Sequence, residues 1–226
     1  MAEQLTFDLP VRESREQGDF FVSEANALAV ARLEATDTWP NKKLVLFGPQ
    51  GAGKSHLAHV WAERFGALLL SPNSLRQLDI PGVEHPVVLD EADATGPDQE
   101  ESLFHLHNHL GHAGLPFLLI ARDAPARWQI SLPDLKSRMA ATDSVRIDSP
   151  DDALLGMVML KQFGDRQVVV APNVISWLVA HMDRSFAKAQ QLVEALDQAA
   201  LAENRAITRP LAQKVLDQIQ GTNTSD

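Results

Sequence analysis

The stretch GPQGAGKSH, residues 48–56, determines how the rest of the sequence is interpreted. Its glycines, lysine and serine fit the spacing G-x-x-x-x-G-K-[ST], in which the lysine reaches the β and γ phosphates of a nucleotide and the serine holds Mg²⁺. Glycines suit such a loop because backbone N–H groups can converge on phosphate oxygens when no Cβ stands in the way. We therefore expect these residues to bind a nucleotide: Gly48, Pro49, Gln50, Gly51, Ala52, Gly53, Lys54, Ser55 and His56.

The flanking sequence supplies the strand and helix that such a loop needs. The apolar run KLVLF precedes it and a helical pattern follows it over 56–66, so that the helix N-terminus favours an anion. Further apolar runs alternate with helical patterns, which predicts an α/β domain with a parallel sheet covered on both faces. The other predicted strands are 67–71, 85–90, 116–121 and 144–148, and the predicted helices are 23–35, starting at Ser23, and 101–114.

After residue 150 the alternation stops and only helical patterns remain. The predicted helices are 151–164, 172–182, 185–204 and 208–220; the third places Phe186, Ala189, Val193, Leu196 and Ala200 on one face. The predicted organisation is a flexible tail at 1–18, an α/β base at 19–150, a helical lid at 151–220 and a disordered tail at 221–226.

Composition narrows the class of protein. The formal net charge of −10 disfavours binding nucleic acid over the whole surface, because phosphate neutralisation needs clustered Lys and Arg. The chain has no Cys, which suits a reducing cytosol, and no apolar run long enough for a membrane span. We expect a cytoplasmic protein with no membrane partner.

A second acidic motif, VVLDEAD at 87–93, complements the phosphate loop. A hydrophobic strand delivers Asp90 to its carboxyl end, where ligands bind in open α/β sheets. Asp90 is expected to hold Mg²⁺ together with Ser55, and Glu91 to polarise an attacking water.

An α/β base followed by a helical lid resembles the AAA+ arrangement. The run LLIARDAPARWQISLPDLKSRM, residues 118–139, narrows this to a resemblance to the DnaA family, and within it to the shortened, Hda-type branch. The resemblance implies that the turn at Asp123 and Pro125 senses the γ phosphate, although Ala124 stands where the family has Arg. It also implies that Arg138 is an arginine finger, which acts on a nucleotide bound by a neighbouring molecule.

The same resemblance covers roughly residues 20–220. It implies that Phe21 and Val22 lie near the adenine, and it accounts for FHLHNHL at 104–110, whose histidines we therefore do not assign to a metal. It also has two departures. No basic helix-turn-helix segment follows the lid, so no sequence-specific DNA binding is expected. Ala187 stands where the lid would carry a sensor Arg, with Arg184 and Lys188 nearby, so weak intrinsic ATP hydrolysis is expected, with ADP or ATP and Mg²⁺ as ligands.

The N-terminal stretch QLTFDLP, residues 4–10, resembles the peptides that dock on the sliding clamp of bacterial DNA polymerase III. Gln4 would make polar contacts, and Leu5, Phe7 and Leu9 would enter a hydrophobic groove. Packing of these side chains on the protein's own base is the alternative.

The leading hypothesis is a negative regulator of replication initiation that binds adenine nucleotide and the clamp and stimulates hydrolysis of DnaA-bound ATP through Arg138. One alternative is a self-sufficient AAA+ ATPase such as a helicase-loader-like factor, which Glu91 favours. Another is a non-catalytic clamp adaptor with a structural nucleotide. Whether the chain forms a homo-oligomer is left open.

Overall fold

The computed structural model describes residues 12–13, 21–203 and 205–222. The chain divides into two compact units. A base unit comprises Asn26–Asp148, and a helical unit comprises Ser149–Asp226 together with Met1–Ala25. The predicted base at 19–150 thus differs from the observed one at its N-terminal end, because the described residues 21–25 group with the helical unit.

The base unit is built on a parallel five-stranded sheet with the order β4-β5-β6-β3-β7. Its central strands are continuous apolar segments whose side chains are buried on both faces, as expected for a parallel sheet between helices. The strands are β3 (Lys43–Phe47), β4 (Leu68–Leu70), β5 (Val87–Leu89), β6 (Phe117–Ala121) and β7 (Ser144–Arg146). Each lies inside a predicted strand.

Strand register determines which loops meet at the edge of the sheet. In β3 and β6, Lys43 pairs with Phe117 and Phe47 pairs with Ala121. The phosphate loop and the turn that begins at Arg122 therefore leave adjacent strands at the same carboxyl edge. Asp90 follows β5, the strand on the other side of β6, and its N–H bonds to Leu70 O in β4.

Helices of the base unit are α1 (Ala27–Glu34), α2 (Lys54–Phe65), α3 (Glu100–Ala113) and α4 (Pro133–Ala141). α2 and α3 end at Gly66 and Gly114 in the left-handed conformation, as their glycine stops predict. The predicted start of α1 at Ser23 is wrong. The Ser23 hydroxyl accepts a hydrogen bond from Ala25 N, which forms a local turn, and the helix begins four residues later.

The helical unit contains α5 (Asp152–Asp165), α6 (Pro172–His181), α7 (Phe186–Glu203) and α8 (Arg209–Thr222), with the antiparallel strands β1 (Arg12–Glu13) and β2 (Phe21–Val22). Asp151 caps α5 by accepting a hydrogen bond from Leu154 N at 2.8 Å. Ala189, Val193 and Leu196 of α7 are buried in the core of this unit, and Phe186 and Ala200 pack against it, so the five share the predicted face. Within the described residues, no helix is long and apolar enough to cross a membrane.

Candidate functional site

The phosphate loop joins the end of β3 to the start of α2. Gly51 and Gly53 have φ values of 77° and 88°, which side chains with a Cβ rarely adopt. A Cβ on Gly48 would lie 2.1 Å from the Ile147 carbonyl oxygen, so this position has no room for any other residue. Among the residues that the structure describes, no side chain caps the first turn of α2, which leaves its N–H groups to donate to an anion.

Lys54 is the buried cation of the loop. Its Nζ donates to the carbonyl oxygens of Gly48 at 2.7 Å and Pro49 at 2.8 Å, which holds the amine against the loop. Burial lowers the pKa of Lys54. The negative charges of Asp90 and Asp93 act to raise this pKa, and the positive charge of Arg122 acts to lower it. The charges around the phosphate site thus come from the ends of three adjacent strands.

The acidic motif after β5 has an unusual backbone. Glu91 has a φ of 54° and a ψ of 38°, the left-handed conformation that costs a residue with a side chain about 1–2 kcal/mol. Its N–H donates to the Asp90 carboxylate at 2.8 Å, and its side chain is exposed. The strand end therefore presents Asp90 and Glu91 at the same edge as Lys54, where carboxylate oxygens suit Mg²⁺.

Asp93, which the sequence does not single out, ties this motif to the next strand. Its Oδ2 accepts hydrogen bonds from the backbone N–H of Arg122 at 2.8 Å and of Asp123 at 3.4 Å. The Asp93 carboxylate thereby fixes the turn after β6. In the sequence, only its place in the acidic motif DEAD, residues 90–93, pointed to a role for Asp93.

The Asp123 carboxylate contacts a residue of its own turn, and its expected role toward the γ phosphate stays a prediction. Its carboxylate forms an ion pair with Arg127 at 3.4 Å, and its carbonyl oxygen accepts a hydrogen bond from the Trp128 indole at 2.8 Å. Pro125 is buried beside it and Ala124 is half-buried. These contacts shape the turn.

Arg138 lies in the last turn of α4 and is exposed. Its guanidinium carbon lies 5.2 Å from the centre of the Phe104 ring in α3, a cation–π contact. The start of α4 is fixed by Glu100, a buried residue of α3 whose carboxylate accepts hydrogen bonds from Ser131 N at 2.9 Å and Leu132 N at 2.6 Å. Glu100 was missed, because α4 itself was not predicted.

Two further basic residues, Lys43 and His107, lie close enough to Arg138 for its charge to affect their pKa values. Both are buried, and the positive charge of Arg138 acts on each. Burial, followed by the charges of Lys43 and Arg138, lowers the pKa of His107 to about 4. Burial, followed by the charge of Arg138, also lowers the pKa of Lys43.

In the helical unit, the cations near Ala187 bind neighbours within that unit. Arg184 forms an ion pair with Asp152 at 2.9 Å, and Lys188 Nζ donates to Gln191 Oε1 at 3.3 Å. Phe21 and Val22 form the strand β2, which contacts α5. Their expected role beside the adenine stays a prediction.

The histidines of α3 make separate contacts. His105 lies 3.7 Å from the Glu101 carboxylate, His109 Nε2 lies 2.8 Å from Val83 O, and His112 Nδ1 lies 2.8 Å from Asn108 O. No group of three or more metal-ligating side chains is present in the part of the chain that the structure describes. Gln4, Leu5, Phe7 and Leu9, which are predicted to bind the clamp, lie outside the described residues.

Comparison with protein-family models finds one that matches residues 157–216, described as the lid domain of Hda. The helical unit resembles the Hda lid. This match agrees with the sequence resemblance to the Hda-type branch of the DnaA family. A comparison with curated proteins found no match.

Solved structures share the fold at low sequence identity. Domain III of the replication initiation protein DnaA from Thermotoga maritima superposes with a TM-score of 0.77 at 14% identity, over 88% of this chain and 94% of that one. AMPPCP-bound DnaA from Aquifex aeolicus has a TM-score of 0.67 at 15% identity, over 80% of this chain and 64% of that one. RuvB of Thermotoga maritima has a TM-score of 0.67 at 16% identity, over 85% of this chain and 67% of that one.

These likenesses confirm the predicted fold, an AAA+ α/β base with a helical lid. The chain spans just under two thirds of the longer DnaA chains that it matches, 64% in the Aquifex aeolicus structure.

Proposed function

We propose that the protein is a DnaA-directed regulator that holds an adenine nucleotide in its own loop and offers Arg138 to ATP bound on DnaA. The hydrolysed ATP belongs to the partner, and initiation of replication is switched off. The similarity of the helical unit to the Hda lid and the DnaA-like fold support DnaA as the partner. The position of Arg138 supports its action on the nucleotide of the partner and not on that of its own chain.

The observation that carries the proposal is the separation of Arg138 from the chain's own phosphate loop. Arg138 lies in the last turn of α4 against Phe104 of α3, and its charge acts on Lys43, the first residue of β3. The phosphate loop instead follows Phe47, the last residue of that strand. A strand rises about 3.3 Å per residue, so these two ends are about 13 Å apart. An exposed guanidinium at the amino edge of the sheet suits a phosphate on another molecule, because its fork can neutralise two phosphate oxygens at once.

The chain's own loop fits a nucleotide with Mg²⁺. Backbone N–H groups at the start of α2 and the Lys54 ammonium would bind the phosphates, and Ser55 and Asp90 would hold the ion. A bound Mg²⁺ supplies charge neutralisation at the phosphates. Ala187 offers the lid no cation, and Arg184 is already paired with Asp152. We therefore propose that the chain's own phosphate loop binds ADP or ATP and that bound ATP is hydrolysed slowly.

The decisive experiment follows nucleotide bound to DnaA. DnaA–ATP is mixed with this protein and DNA-loaded clamp, and the ratio of ADP to ATP on DnaA is measured over time. Arg138→Ala is expected to reduce the stimulated rate by about 10³-fold, the lower end of what an arginine finger contributes. Arg138→Lys should recover only part of it, because an ammonium lacks the planar fork.

Lys136→Ala is the matched control, because Lys136 is an exposed cation on the same helix, two residues away. This variant should stimulate hydrolysis as well as the native protein. Stimulation by Arg138→Ala at the native rate would show that the finger is not on this chain.

A self-sufficient ATPase is the second candidate, and the conformation of Glu91 favours it. Its left-handed backbone is sterically costly, and such conformations cluster at functional sites. Steady-state ATP turnover by the protein alone, with and without single-stranded DNA, separates the two functions. Turnover that Glu91→Gln abolishes and Arg138→Ala leaves intact supports the ATPase.

A further inference from the structure

Lys43 is a buried cation in a strand that is otherwise apolar. It is the first residue of β3, and only 6% of its surface is exposed. Its Nζ occupies the space above Gly111 of α3, where a Cβ would lie only 2.7 Å from the amine. Among the described residues, the amine has no hydrogen-bond acceptor and no counter-ion. Because an unpaired buried charge is costly, packing alone does not explain a lysine at this position.

The face of α3 that covers Lys43 also carries His107 and meets Arg138. Phe104, His107 and Gly111 are spaced i, i+3 and i+7, which places them on one face of the helix. The Arg138 guanidinium lies at the Phe104 end of this face, 5.2 Å from the ring centre, and the Lys43 amine lies at the Gly111 end. Between them lies His107, which is buried and whose ring nitrogens have no partner among the described residues.

The Arg138 guanidinium does not use the acceptor that His107 offers. The His107 ring is neutral at physiological pH, so one of its nitrogens has a free lone pair, and a guanidinium has five N–H donors. Arg138 nevertheless lies over Phe104 with its side chain exposed. The charge of Lys43 opposes an inward position, because like charges repel more strongly in a partly buried site than in water.

From this arrangement we propose that Lys43 is a positioning residue for Arg138, whose buried charge keeps the guanidinium out of the interior and accessible to a phosphate on another molecule. The consequence for DnaA-bound ATP rests on the proposed function, whereas the outward position of the side chain does not. With an uncharged side chain at residue 43, the guanidinium would move about one helical turn along α3 and donate to the ring of His107. Arg138 would then be held by its own chain.

The first test measures the position of Arg138 and needs no partner. Phenylglyoxal modifies accessible arginine side chains, and mass spectrometry of the peptide that contains residue 138 gives the rate of modification in the full chain. Lys43→Met removes the charge and keeps an unbranched side chain, which suits the apolar strand, so we expect the variant to fold. Arg138 should be modified about tenfold more slowly in this variant, because a hydrogen bond between its charged group and the imidazole holds it inward.

A double variant separates repulsion from a structural role of Lys43. Lys43→Met combined with His107→Leu removes the acceptor as well as the charge, so modification of Arg138 should return close to the native rate. The DnaA assay should follow the same pattern. Lys43→Met should lower the maximal stimulated rate of ATP hydrolysis by about tenfold without changing the half-saturating concentration of the protein, and the double variant should restore the rate.

Lys42→Met is the matched control. Lys42 is the adjacent cation, and its amine is paired with Asp37 at 3.1 Å. In this variant Arg138 should be modified at the native rate. Native modification of Arg138 in Lys43→Met, or a loss that His107→Leu does not restore, overturns the positioning role. Native stimulation by Arg138→Ala, with the modification rates as expected, instead overturns the proposed function and supports the positioning role, so the two failures are distinguishable.

Discussion

At the scale of single residues, His107 is a buried imidazole whose ring nitrogens make no hydrogen bond with any described residue. It packs edge-on against Phe117, and the charged groups facing it are Lys43 from β3 and Arg138 from α4, with the Asn108 side chain beside it. Its pKa of about 4, against an ordinary 6.5, means that the imidazole is neutral in the folded protein at physiological pH.

The lowered pKa predicts acid sensitivity in a defined window. The unfolded chain takes up a proton on His107 near pH 6.5 and the folded chain only near pH 4, so stability falls as the pH drops between these values, by at most about 1.4 kcal/mol per pH unit from this group. Above pH 6.5 the group contributes no pH dependence. Urea unfolding of the native protein and of His107→Leu at several pH values measures the effect.

The leucine variant should unfold with a flatter pH dependence between pH 6.5 and 4. It should also be at least as stable at pH 7, because it removes buried polar atoms that lack partners. His112→Ala, at an exposed position of the same helix, should keep the native slope. Identical slopes for native and leucine proteins would show that His107 is not the group responsible.

At the scale of elements, α4 is positioned by a carboxylate from α3. Glu100 is buried and accepts the N–H groups of Ser131 and Leu132 at the N-terminus of α4, where a negative charge also meets the positive end of the helix. Glu100→Gln exchanges an acceptor oxygen for an NH₂ group and removes the charge. It should lower the free energy of unfolding by about 1–3 kcal/mol.

Glu100→Gln should also weaken the stimulation of DnaA-bound ATP hydrolysis, because α4 carries Arg138. The affinity of the protein's own phosphate loop for ADP should stay unaltered. Glu101→Gln is the control, because Glu101 is the adjacent carboxylate and is exposed; its stability should change by no more than about 0.5 kcal/mol. Chemical denaturation measures stability, and nucleotide titration and the DnaA assay measure function. A Glu100→Gln protein with native stability and native stimulation would contradict this positioning role.

The elements differ in how well the sequence predicts them. The five sheet strands and the glycine stops of α2 and α3 were predictable, because continuous apolar runs and terminal glycines are local signals. α4 was not, since Pro133–Ala141 is short and draws its N-terminal acceptor from Glu100, which is 33 residues away from Pro133 in the chain. The place of Lys54 in the loop was predictable, because it belongs to a local motif. The pairing of Asp123 with Arg127, by contrast, depends on side-chain directions that spacing does not encode.

At the scale of the whole molecule, the clamp-binding segment predicted from the sequence and the proposed arginine finger lie in different parts of the chain. Residues 4–9 would attach the protein to the clamp, and Arg138 in the base unit would act on DnaA. We predict that Leu5→Ala combined with Phe7→Ala weakens clamp binding by at least about tenfold, because burying each large apolar side chain contributes about 1.5–3 kcal/mol. Surface plasmon resonance on immobilised clamp measures the loss, with Thr6→Ala as the control in the same segment.

The two defects should be independent and should not rescue each other. The tail variant should keep native ADP affinity, and Arg138→Ala should keep native clamp affinity, because each change is confined to one task. If a single molecule must be tethered and must also supply the finger, a mixture of the two variants will not stimulate hydrolysis of DnaA-bound ATP. Native clamp binding by the tail variant would assign the tether to another part of the chain. Recovery in the mixture would instead show that copies of the chain act together, one bound to the clamp and the other reaching DnaA.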